Sequence, residues 1–241
     1  MDESFEWFCK ICLIIFIIIC INSMLGDVVF WASYSFPKVT ETTNQIIDTN
    51  NDPVQIDLDG KKYIKAKGEK LNFALNLMAE YSISGMVVAK NSNFWFRDIM
   101  RSKFDDLYLI DFGIVWGDLA RDKNELYKYT AFKSKKTLGQ ARQLSWRWTY
   151  NNPWGGSYIA SHTSHTHMTP ANANVMGALL KLRKNDIVKI DGYLVDTYTD
   201  KSELISHTSM SRHDSNATSR GSGACEVMYV TQVQIGDKIY K

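Results

Sequence analysis

From Leu71 to Ile83 every second residue is apolar or aromatic: Leu71, Phe73, Leu75, Leu77, Ala79, Tyr81 and Ile83. A period of two places all seven on one face of an extended chain, and that face needs a core to bury it. The stretch predicts one long strand or two shorter ones. A helix over residues 69–79 is the competing reading, because Leu, Ala, Met and Glu are good helix formers. Strand-like runs recur downstream: SISGMVVAKN (82–91), with Gly85 as a bulge or close packing point, and LYLIDFGIVWG (107–117). SWRWTYN (145–151) places Trp146, Trp148 and Tyr150 on one face, expected to be barrel core. Exposed, with Trp154 and Tyr158 nearby and Arg142 and Arg147 adding charge, the same ridge would be a stacking platform. DIVKIDGYLVDTYT (186–199) reads as a strand pair or a bent strand with Gly192 at the bend, and CEVMYVTQVQI (225–235) as a closing strand. One helix is expected near 170–183, with Thr169 as cap and Pro170 at its first position. Val175, Met176, Leu179, Leu180 and Leu182 form its apolar face, and Lys181, Arg183 and Lys184 suit its C-terminal end. The expected fold class is mainly β, with α+β as the variant. It is a small β-barrel-like domain, of the oligonucleotide/oligosaccharide-binding (OB) type by analogy of pattern.

Residues 11–25, ICLIIFIIICINSML, carry no charge. Fifteen residues fall short of the ~20 that cross a bilayer comfortably. Phe8, Cys9 and a snorkelling Lys10 extend the run backward, with Trp7, Phe30, Trp31 and Tyr34 placed for the interfaces. The length also suits a signal-peptide core, but no A-x-A-like cleavage site follows Leu25, so the leading reading is an uncleaved single-pass anchor within residues 1–36, with a cleaved signal peptide as the alternative. The stretch 37–60 is rich in Thr, Asn, Asp and Gln and reads as a polar linker, followed by one soluble domain over 61–241. The expected location is a bacterial inner membrane, with the domain on the periplasmic or other extracytoplasmic side. Three of the four cysteines, Cys9, Cys12 and Cys20, lie in or beside the anchor, which excludes a disulfide scaffold. A net charge of +2 in 241 residues disfavours a dedicated nucleic-acid binder.

All five histidines fall between residues 162 and 213, and three of them sit in SHTSHTHMTP. Imidazole is the commonest neutral metal ligand and the natural acid or base near neutral pH. His162, His165 and His167 are therefore candidate zinc ligands, although their spacing matches no strong zinc signature. The bland alternative is that they bond backbone groups and pin a loop ahead of the helix. His165 and His167 share a face if the chain is extended; His162 joins them only through a bend. Cys225, in GSGACE, follows a glycine-rich stretch that can lower a thiol pKa, so it is a candidate nucleophile with His162 or His167 as base. A cysteine that starts a strand is otherwise a small buried hydrophobe. SRHDSNATSRGSGACE adds Arg212, His213, Asp214, Arg220 and Glu226. Its arginines suit a phosphate or carboxylate, and Glu226 is placed to pair with one of them.

The segments SGMVVAK, D-x-x-x-x-W-G (111–117), W-R-W (146–148), SHTSHTHMTP, IDGYLV, SR-x-D and GACE together resemble a group of uncharacterised bacterial proteins with an N-terminal membrane segment. The resemblance spans about residues 81–235. Its matching positions are His162, Ser164, His167, Pro170, Gly192, Leu194, Arg212, Asp214, Gly223, Ala224 and Cys225. The stretch between Asp214 and Gly223 is longer here. The resemblance implies a location and a set of suspect residues, and no reaction. The resulting expectation is a membrane-tethered envelope domain. It binds a small polar ligand or an envelope protein through loops 162–167 and 211–226, with His162, His167, Arg212 and Asp214 as contacts and no obligatory cofactor. The alternative is a cysteine- or metal-dependent enzyme built on Cys225 with His162 or His167, zinc being the metal.

Overall fold

The structure, a computed structural model, describes residues 7, 11–18, 21, 36–68, 71–92, 103–136, 142–210 and 225–241. It is mainly β, with a ten-stranded mixed sheet and a separate two-stranded hairpin. The alternating stretch is part of one 21-residue strand, β4 (Asn72–Ser92), which absorbs the next expected strand as well. Helix propensity loses to packing there: Ala79, Tyr81 and Ile83 are buried in one cluster, and across a bulge between Leu77 and Ala79, Phe73 and Leu75 are buried in another with Val195 and Val227.

Five strands pair in a ring. β4 pairs antiparallel with β5 (Ile110–Val115), β5 with β8 (Thr163–Pro170), and β8 in parallel with β11 (Glu226–Ile235). β11 then pairs antiparallel with β9 (Ile187–Thr199), and β9 pairs back to β4. Inside lies a core that includes Tyr81, Ile83, Phe112, Ile114, Met168, Ile190, Met228 and Val230. Gly192 sits in β9 where the ring closes on β11: a Cβ there would lie 2.1 Å from the Tyr229 carbonyl oxygen. No side chain fits between those two backbones, which is the physical meaning of the expected bend.

The expected helix is α5 (Ala173–Lys181), between β8 and β9. The expectation for its start is corrected. Asn172 is the N-cap, accepting from the backbone N–H groups of Asn174 (2.9 Å) and Val175 (3.0 Å). Thr169 and Pro170 belong to β8 and pair with Tyr229 and Val230. At the other end, Lys90 of β4 donates to the carbonyls of Leu180 (2.7 Å) and Leu182 (2.9 Å). Burial lowers its pKa to about 8.

The stretch 37–60, expected to be a linker, is part of the fold. β1 (Glu41–Thr42) pairs with β12 (Lys238–Tyr240), and β2 (Val54–Asp57) pairs with β4, as does β3 (Tyr63–Lys67). Asp52 accepts from the indole N–H of Trp116, and the Gln45 carbonyl accepts from the Gln234 amide. Polar composition misled here because these are short edge strands that stay largely in water.

The aromatic ridge is also corrected. It lies outside the ring, on and after the hairpin of β6 (Thr130–Lys136) and β7 (Arg142–Trp148). Trp146 is half-buried, while Trp148 and Tyr150 are exposed. Of the apolar N-terminal run, residues 11–18 are helical and their side chains are exposed. Among the described residues no helix is long and apolar enough to cross a membrane.

Candidate functional site

The histidine segment is a strand, not a loop. β8 runs between β5 and β11 with nearly every residue buried, polar though it is. Alternation divides it. Met168 joins the ring's core, whereas His165 and His167 face outward with their cross-strand partners Gly113 and Asp111. Gly113 leaves room for Leu144 of β7, which lies 2.9 Å from where its Cβ would be.

His167 and Asp111 are 2.8 Å apart, Nδ1 to Oδ1. The guanidinium of Arg142 reaches the same carboxylate oxygen at 3.2 Å and donates to the Tyr108 carbonyl at 2.6 Å. It lies 4.5 Å over the Phe104 ring, and Asp105 is 3.9 Å from its Nε. Phe104 and Asp105 come from α1 (Lys103–Leu107). Burial alone would raise the Asp111 pKa, but His167 and Arg142 hold it below the ordinary carboxylate value. A buried arginine is tolerable only with such counter-charges.

His165 stands edge-on to His167, ring centroids 4.9 Å apart, and its Nδ1 is 3.3 Å from Cys225 Sγ. Its Nε2 is buried with no hydrogen-bond partner among the described residues. Burial first, then the neighbouring His167, lowers the His165 pKa to about 3. A base this weak is held as a neutral imidazole. Cys225 itself is half-buried, at the start of β11.

Glu226, the next residue, points the other way, into the ring. Its Oε2 accepts from Ser164 Oγ at 2.7 Å, and its Oε1 is buried without a partner among the described residues. Burial raises its pKa to about 8. The arginines expected to pair with it, Arg212 and Arg220, lie outside the described residues.

The structure does not bring His162 to Cys225. His162 caps α4 (Gly155–Ser161): its backbone N–H donates to the Tyr158 and Ile159 carbonyls. Its ring stacks on Tyr158 at 3.8 Å, and its Nδ1 is 3.0 Å from the Tyr158 carbonyl and 3.0 Å from Ser161 Oγ. His207 pairs separately with Asp196 at 2.9 Å. Arg212, His213, Asp214 and Arg220 lie outside the described residues, as does all of the 211–226 segment before Cys225.

Asp111 escaped the sequence reading as a site residue, although it is a lone charge in the otherwise apolar run LYLIDFGIV. Arg142 entered that reading only as a charge beside an exposed aromatic ridge, not as a partner of Asp111. A groove of about 330 Å³, lined by Val54, Ile56, Glu80, Asp191, Tyr193 and neighbours, shares no residue with the cluster. Comparison with protein-family models, curated proteins and solved structures found no match for this chain.

Proposed function

We propose that the chain is a membrane-tethered OB-type domain that binds a small polar ligand or an envelope partner at the outward face of β8. The carrying observation is the cluster of His165, His167, Asp111, Arg142 and Cys225, a set of polar groups on the outside of a strand that has no need of them for its core. The ring supports the OB reading. Its third and fifth strands, β8 and β11, are parallel, its first and fourth strands pair, and a helix joins the third to the fourth. OB barrels bind on the face of their second and third strands, which here are β5 and β8, and with the loop between the fourth and fifth. That loop is the one carrying Arg212 and Asp214. Residues 11–25 serve as the single-pass anchor in a bacterial inner membrane, with the domain on the exported side. The apolar helical residues 11–18 support this, being exposed among the described residues.

The second reading, a cysteine-dependent enzyme, is favoured by the contact between His165 and Cys225. The depressed basicity of His165 weighs against it.

The test is iodoacetamide modification of the full chain in membranes, with Cys9, Cys12 and Cys20 changed to Ser so that only Cys225 reports. The binding reading expects Cys225 to react in the folded protein with the pH profile of an ordinary thiol, near ~8.5. A profile centred well below that value supports the enzyme. A thiol that stays inert, with a chelator present, until the chain is unfolded sinks both readings.

A further inference from the structure

The cluster has one property that ligand contact alone does not explain. The donor atoms of His165, His167 and Cys225 all lie within 4.8 Å of one another. We infer that these three side chains form a metal centre for a zinc-type divalent cation, and this rests on the site assignment above.

Four features converge on that assignment. In His167, Asp111 occupies Nδ1, so the lone pair left for a ligand is on Nε2. A carboxylate behind a histidine is the usual support for a metal-ligating imidazole, fixing its tautomer and ring orientation. In His165, the 3.3 Å from Nδ1 to Sγ is close to the edge of a zinc tetrahedron. Bonds of about 2.3 Å to sulfur and about 2.0–2.1 Å to nitrogen place such atoms roughly 3.5 Å apart. His165 and His167 are both buried, so two of the three ligands are already held in place by packing.

The fourth feature is the donor set. Two imidazoles and a thiolate select zinc, cobalt or copper over magnesium or calcium, which prefer oxygen. Three protein ligands leave a fourth position for water or a bound ligand. Cys225 is the half-buried member, so the approach is from its side.

The test uses the full chain purified in detergent, loaded with zinc, passed through a desalting column and assayed for metal. The expected result is roughly one zinc per chain. Replacing zinc with cobalt should give visible ligand-field bands and a near-ultraviolet thiolate-to-cobalt band that Cys225→Ser abolishes. Asp111→Asn should weaken zinc binding by about 10–100-fold, as the loss of a supporting carboxylate does. His162→Ala should leave zinc binding unchanged, which separates the site from general damage to β8. Zinc should also slow alkylation of Cys225, and a chelator should restore it. A chain that retains no zinc while Cys225 stays reactive overturns the metal centre and leaves the ligand-site reading standing. A cysteine inert in the folded chain, with or without chelator, overturns both. Zinc retained equally by Cys225→Ser and by His165→Ala overturns this ligand set.

Discussion

Gly192→Ala tests the closure of the ring directly. The added methyl would sit 2.1 Å from the Tyr229 carbonyl oxygen and 3.0 Å from both the Tyr229 carbonyl carbon and Val230 Cα. All three are backbone atoms, so no side-chain rotation relieves the overlap. β9 and β11 must separate by about 1 Å to reach van der Waals contact. That displacement acts on the register pairs Leu194–Met228, Tyr193–Tyr229 and Gly192–Val230, beside the shift between Val230 and Gln232. Weakening two or three ladder bonds costs about 1 kcal/mol each. Overpacking strain adds roughly 1–3 kcal/mol. The expected loss is therefore about 3–6 kcal/mol, a fifth or more of the ~5–15 kcal/mol that holds a typical domain. Gly60→Ala is the matched control. Nothing lies within 4 Å of its added methyl, and only its φ of +78° resists substitution, a cost of about 1–2 kcal/mol. Urea unfolding of both variants, followed by circular dichroism with unchanged m-values, gives the comparison. If Gly192→Ala loses less than Gly60→Ala, the β9–β11 seam is not as tight as described and the ring argument fails.

Glu226 is held neutral by burial. Its folded-state pKa is raised, so the stability tied to its protonated form is complete below the unfolded value of 4.5 and drains away as pH rises toward about 8. With a chelator present, the wild type should lose on the order of 3 kcal/mol between about pH 6 and about pH 9 that Glu226→Gln retains. Equal pH slopes in urea titrations of the two proteins would refute this. Asp111→Asn leaves Arg142 buried with a weakened counter-charge and should cost about 3–5 kcal/mol in the same assay, a loss that Asp111→Glu partly rescues. Asn172→Ala removes the acceptor for two N–H groups of α5 and should cost about 1 kcal/mol, seen as a lowered Tm with zinc binding intact.

The fold was most legible where the apolar period was clean. β4 could be read from seven alternating residues, and the apolar face of α5 from Val175, Met176 and Leu179. The same logic failed on β8, where polar residues on both faces looked like a loop. They are buried because they find partners on neighbouring strands: Ser164 meets Glu226, and His167 meets Asp111. Such pairings join residues 56 to 62 positions apart and leave no mark in a local window. The start of α5 was misplaced for a related reason, since pairing with β11 overrode the helix-start preference of Thr169 and Pro170. At the site, the histidines and Cys225 stood out by residue type alone. What could not be read was which histidine meets the thiol. His165 takes that place because β8 and β11 run parallel, bringing residue 225 alongside residue 165.

That parallel seam bears on how the chain reaches its native state. β8 and β11 are joined through α5, β9 and the segment after it, so their pairing closes a long loop. Contacts of that kind carry a large closure entropy and are expected late in folding. The thiol and the imidazole, 60 residues apart, come within reach only when the seam forms. Before then Cys225 is an ordinary solvent-exposed thiol, open to oxidation, and afterwards it is half-buried. An ion held across the seam binds only the closed ring, so it stabilises that state by mass action, slows reopening and covers the thiol. In the ion-bound chain, oxidative damage at Cys225 should therefore track how long nascent chains take to close, not how long mature ones persist.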